Sequence, residues 1–115
     1  MKIFLDTQIE DTLRGIQDYT FNDYQGYLNE GDDFCAKARL DEENALYIME
    51  DWLYDRTAAE ELTISTTYTG IKLVEHIENI IDYSECMQED PGDQWAIDAS
   101  VLRLMLDAMM KEVKR

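Results

Sequence analysis

The stretch after Asp93 constrains the fold more than any other part of the chain. Trp95, Ala99, Leu102, Leu106, Met109 and Val113 fall at helical spacing and form one apolar stripe. Ile97, Val101, Leu104 and Ala108 form a second, which leaves only Ser100, Arg103, Asp107 and Lys111 for a polar face. A helix that is apolar around so much of its circumference has to be surrounded, either by the rest of its own bundle or by a second copy of the chain. Asp93 stands where an N-cap is needed, and Glu89-Asp90-Pro91-Gly92 before it is turn chemistry.

Three further helices are expected. Ile9, Leu13 and Ile16 are spaced as one helical face, with Thr7 and Glu10 placed as a capping box, so a first helix should cover about residues 6–19. The Asn-, Asp-, Gly- and Tyr-rich residues 20–31 read as a loop. Residues 34–40 alternate as a short strand would, or lead into the next helix. Asp41 is a good N-cap for a second helix over about 41–61, with Ala45, Leu46, Met49, Trp52 and Leu53 as its stripe. Residues 62–69 are ambiguous between strand and helix cap, with Ser65 or Thr66 as the capping candidates. Leu73, Val74, Ile77, Ile80 and Ile81 then mark a third helix ending near Gln88. Residues 1–115 thus read as a single all-α domain, a small bundle of about four helices. An α+β fold with short strands at 2–5, 34–40 and 62–69 stays open.

Other features bound the function. No apolar run approaches the roughly 18 residues that span a bilayer, and the N-terminus has no signal-peptide core, so a cytoplasmic protein is expected. Cys35 and Cys86 fit no metal or redox spacing and read as reduced, mostly buried thiols. His76 is the only histidine, which argues against a Ser-His triad or a multi-histidine metal site.

Charge carries the functional signal. With 26 Asp+Glu against 10 Lys+Arg, the net charge is -16. That excludes a protein which binds nucleic acid by neutralising phosphates, and it opposes attraction to anionic membranes. The excess sits in residues 30–61 and 75–98, each with net -8, and the latter holds no Lys or Arg. Glu75, Glu78, Asp82, Glu85 and Glu89 follow a 3-4-3-4 spacing that places them on one face of the third helix. Glu43, Glu50, Asp51 and Asp55 repeat the pattern on the second. Five carboxylates over about 21 Å give roughly one charge per 5 Å. Two such rows side by side would approach one per ~2.5 Å, within a factor of two of duplex DNA. Tyrosines beside acids, among them Tyr54 and Tyr83, suit a basic, Arg-rich partner surface.

In size and charge the chain resembles the small DNA-mimic proteins of phages and mobile elements, the anti-restriction and anti-CRISPR proteins. The resemblance is one of composition and carries over no functional residue. It implies a non-enzymatic inhibitor that occupies the basic nucleic-acid cleft of a nuclease or CRISPR effector. The expected interface is Glu43, Glu50, Asp51, Tyr54, Asp55, Glu75, Glu78, Asp82, Tyr83, Glu85 and Glu89, with no cofactor, no metal and no direct nucleic-acid contact. A homodimer through the C-terminal helix is the alternative use of its second stripe. An immunity protein that neutralises a basic nuclease toxin would rest on the same physics. An all-α Mg²⁺-dependent nucleotide pyrophosphohydrolase is a third reading, because Glu75-x-x-Glu78-x-x-x-Asp82 could hold a metal. The family's Glu-Glu-x-x-Glu and Glu-x-x-Asp combination is not cleanly present, and Lys and Arg to grip phosphates are missing.

Overall fold

In the computed structural model, which describes residues 6–55, 59–66 and 68–113, two long helices meet at Gly31 and Asp32. The first, α1, runs Asp6–Glu30 and the second, α2, Asp33–Asp55. Gly31 has φ of 79°, and the N–H groups of Gly31 and Asp32 return to the carbonyls of Leu28 and Tyr27. This is a Schellman stop, which favours glycine because a Cβ is strained at positive φ. Asp32 then caps the next helix, its Oδ1 accepting Cys35 N–H at 3.1 Å. Those N–H bonds hold its carboxyl below the usual carboxylate range.

The expected loop over 20–31 is therefore helix as far as Glu30. Thr20 is buried, and Tyr24 and Tyr27 are half-buried, so they extend the stripe of Ile9, Leu13 and Ile16. Tertiary packing against α2 overrides a composition that looks like a loop. The strand at 34–40 is also absent: Phe34 is 75% exposed while Ala36 is buried, and the cap at Asp32 starts a helix there. Asp41 is no N-cap. It lies inside α2 and is 3% exposed. Thr7 lies within α1 rather than at its cap, and Glu10 pairs with Arg14 at 2.6 Å. The strand considered at 2–5 falls outside the described residues.

The second helix stops at Asp55, short of Glu61, and a 3-10 turn over Ala59–Thr63 follows. Residues 64–66 and 68–72 form the described part of a small hairpin with one isolated antiparallel bridge, Ser65 to Lys72, and a turn that uses Gly70 at φ 76°. Among the described residues that bridge is the only β-pairing. Helix α3, Leu73–Met87, starts after Lys72, which makes no side-chain cap bond, so neither Ser65 nor Thr66 caps it. Helix α4, Gln94–Val113, begins where expected: Asp93 Oδ1 accepts Ala96 N–H, and its Oδ2 accepts those of Glu89 and Asp90.

The fold is all-α. The helices pack in a ring, α1 on α2, α2 on α3, α3 on α4 and α4 on α1. Leu13, Ile16, Leu46, Met49, Leu62, Ile77, Leu102 and Met109 fill its centre. On α4 the face Ala96, Ala99, Leu102, Met105 and Met109 is buried with Val101, while Ile97, Leu104, Leu106 and Ala108 stay half-exposed. The cysteines are free, but Cys35 is only partly buried and Cys86 is exposed, so the expectation of buried thiols fails. No described helix is long and apolar enough to cross a membrane.

Candidate functional site

Helix α3 carries the acidic row in the open. Glu75, Glu78, Asp82 and Glu85 are all exposed and share one side of the helix, away from buried Ile77, Ile80 and Ile81. The helix has neither Lys nor Arg. Glu89 does not extend the row on the helix, because α3 ends at Met87 and Glu89 belongs to the turn tied to Asp93. Four carboxylates over about 15 Å remain. One is met: Arg103 of α4 donates to Glu85 Oε1 through Nε and Nη2. Glu78, Asp82 and Arg103 line a shallow cleft between α3 and α4 together with Asp107.

The α2 candidates lie elsewhere. Glu50 is mostly buried and holds Gln17 Nε2 of α1 at 2.7 Å, with Arg14 Nε at 3.6 Å. Glu43 is half-buried, and its Oε2 has no hydrogen-bond partner. Tyr54 is 65% exposed, and the Glu10 carboxylate of α1 nearby pushes its hydroxyl pKa up. Asp51 is exposed. Asp55 ends α2, and its side chain is not among those described. Glu50 and Tyr54 thus belong to the antiparallel α1–α2 seam, whereas Glu85 belongs to the α3–α4 seam. In a ring of four, those seams are on opposite sides. The two acidic rows do not add to the charge density expected of neighbours. Acids of α1 face α2 instead: Glu10 lies close enough to affect Tyr54, and Asp18 to affect Tyr47. Sequence reasoning missed them because the register of the hairpin was not known. The helical spacing of Glu10, Arg14, Gln17 and Asp18 was the one available signal.

Tyr83 is exposed and packs edge-on against Trp95, centroids 5.6 Å apart, and Trp95 also meets Tyr19 at 5.8 Å. Tyr83 therefore steadies the end of the bundle as well as facing outward. Beside it, Tyr19, Asp23, Arg39, Glu42 and Asn79 line a polar cavity of 390 Å³. Burial pushes the Glu42 carboxyl up to about 7, although Arg39 Nη1 donates to it at 2.7 Å.

A buried polar cluster holds the hairpin in place. Asp41 Oδ2 accepts Thr69 N–H at 3.0 Å, and Thr69 Oγ1 lies 3.0 Å from His76 Nε2. Burial lowers the His76 pKa despite Asp41 3.8 Å away. Asp41 and Thr69 both approach the same nitrogen, which is not the relay of a catalytic triad. The cluster ties Thr69 to α2 through Asp41 and to α3 through His76. Among the described residues, no group of three or more His, Cys, Asp or Glu is placed to hold a metal ion, and Glu75, Glu78 and Asp82 form no such group. Compared with protein-family models, curated proteins and solved structures, the chain matches none.

Proposed function

We propose that this chain is a non-enzymatic acidic inhibitor that covers the basic nucleic-acid-binding surface of a nuclease or CRISPR effector in the cytoplasm. The observation that carries the reading is the α3 row. Four exposed carboxylates stand on a helix with no Lys or Arg, and among the described residues only Glu85 is met by a cation. Like charges at i,i+3 and i,i+4 cost about 0.2–0.5 kcal/mol each, where opposite charges would stabilise by a similar amount. A surface that forgoes this stabilisation fits a partner which supplies the cations. One row gives roughly one charge per 5 Å, against one per 3.4 Å for a single DNA strand. The row therefore imitates one strand rather than a duplex.

The test is displacement. Fluorescently labelled duplex DNA is bound to each of a panel of purified CRISPR effectors, restriction nucleases and nuclease toxins, and the protein is titrated in while anisotropy is followed. Release of DNA from at least one of them is expected, together with weaker release by the variant Glu78→Gln, Asp82→Asn, Glu85→Gln. A ternary complex with DNA still normally bound would end the competitive reading. Displacement from a nuclease toxin alone would favour the immunity form of the same chemistry.

A further inference from the structure

A groove among the described residues lies away from the α3 row and takes in Asp51 of the α2 candidates. It has a volume of 600 Å³ and runs between α2 and the 64–72 hairpin. Binding sites of about 300–1,000 Å³ enclose a small ligand or several side chains. Tyr47, Ile64 and Tyr68 line it, and each is about half exposed or more. Large apolar side chains gathered at one surface site mark a place where something docks. Leu40, Ile48 and Leu73 continue the apolar wall inward.

The charge of this groove is of one sign. Asp41, Asp51 and Glu61 line it, and none of its lining residues is Lys or Arg. Asp51 and Glu61 are exposed, whereas Asp41 is almost wholly buried. Thr69 N–H occupies Asp41 Oδ2. Thr66 in the lining is held, its N–H reaching the Ile71 carbonyl at 2.8 Å and its hydroxyl meeting that of Thr69, which Asp41 and His76 hold in turn. A preformed site of this kind spends less ordering entropy on binding.

We infer that this groove is the anchor site for a partner protein, and that it seats a basic amphipathic segment. Apolar side chains of that segment enter between Tyr47, Ile64 and Tyr68. Its Lys or Arg side chains meet Asp51 and Glu61. A second copy of this chain would bring another net -16 and is repelled, and nucleic acid has the wrong sign. The inference deepens the inhibitor reading and rests on it for the biological partner. It adds that binding is anchored by buried apolar contact as well as steered by charge.

The experiment uses a synthetic 12-residue peptide with Leu at helical spacing and Lys or Arg between. It is titrated into the ¹⁵N-labelled full chain and followed by amide shifts. Shifts clustered in residues 40–51 and 59–73 are expected. The combined variant Asp51→Asn, Glu61→Gln, Tyr68→Ala changes only exposed side chains, and unchanged circular dichroism checks its fold. It should weaken the peptide at least about tenfold, the loss when an anchor and two charges go together. Glu78→Gln with Asp82→Asn should leave peptide affinity within about twofold, since the α3 row is elsewhere. A 12-residue oligolysine, which lacks the apolar anchors, should bind more weakly.

Absence of binding, shifts centred on α3, or a groove variant that binds as tightly as the parent would each overturn the inference. The DNA-displacement assay separates the two ideas. Displacement by a groove variant equal to the parent keeps the inhibitor reading and discards the anchor. Groove-specific peptide binding with no displacement from any effector does the reverse.

Discussion

Glu50 and Glu78 are the same residue type in similarly spaced helical rows, yet their surroundings differ completely. Glu50 faces α1, is largely removed from water, and accepts Gln17 with Arg14 close by. Glu78 faces solvent on the α3–α4 side, near another acid, Asp82. An acid on a packed seam is part of what holds two helices together. An acid on the open side, among its own kind, contributes nothing to the fold. Counting carboxylates along a helix does not separate the two. The neighbouring helix does.

The comparison depends on the ring arrangement, so the largest expected effect tests that arrangement. Val101→Glu should unfold the domain, because burying an unpaired charge costs several kcal/mol. Leu104→Glu, on the half-exposed edge of the same helix, should leave a folded chain. Circular dichroism and sedimentation of the two variants decide it. A folded Val101→Glu monomer would mean that α4 is an edge of the assembly and that the seams are not opposed.

Next in size is the pH response of Glu42, a buried acid of α2. The Glu42 pKa is raised from 4.5 to about 7, mainly by burial, with Arg39 acting against the shift. The folded state therefore holds a proton that the unfolded chain has lost. Its contribution to stability is fully present below about 4.5 and is lost as pH rises through about 7, an effect on the order of a few kcal/mol. Melting temperatures of the parent and Glu42→Gln at pH 8 and pH 5 give the test. The gap should move in favour of the parent at pH 5, and a gap independent of pH would remove Glu42 from the buried class.

Glu50→Ala comes next. It should cost about 1–3 kcal/mol, because Gln17 is buried and would lose its acceptor. Glu78→Ala should lie within about 0.5 kcal/mol of the parent. Equal costs at the two positions, read by urea denaturation, would break the distinction between seam and open face.

The smallest stability effect belongs to Glu78→Gln with Asp82→Asn. It should return a few tenths of a kcal/mol at low salt, on the scale of relieved like-charge pairs. Adding Glu85→Gln should cancel part of that gain, since Glu85 is paired with Arg103 in an exposed bridge worth about 0–1 kcal/mol. The same changes should flatten the salt dependence of partner association between about 50 and 500 mM.

The sequence by itself determined the class of fold and the chemistry of its surface. The stripe after Asp93, the turn at 89–92 and the Asp93 cap were legible because each depends on residues within a few positions of one another. So was the concentration of acid in two segments. The reach of α1 to Glu30 was hidden, because Thr20, Tyr24 and Tyr27 are helical only by virtue of what α2 places against them. Asp41 looked like a cap and is instead the buried hold on Thr69, 28 residues away. The tertiary structure alone decided that Glu50 and Glu85 lie on opposite seams, and that Tyr47, Ile64 and Tyr68 share one groove. Helical periodicity records which residues share a face of one helix. Which faces meet is set by long-range packing, where the burial of whole apolar stripes outweighs any local preference.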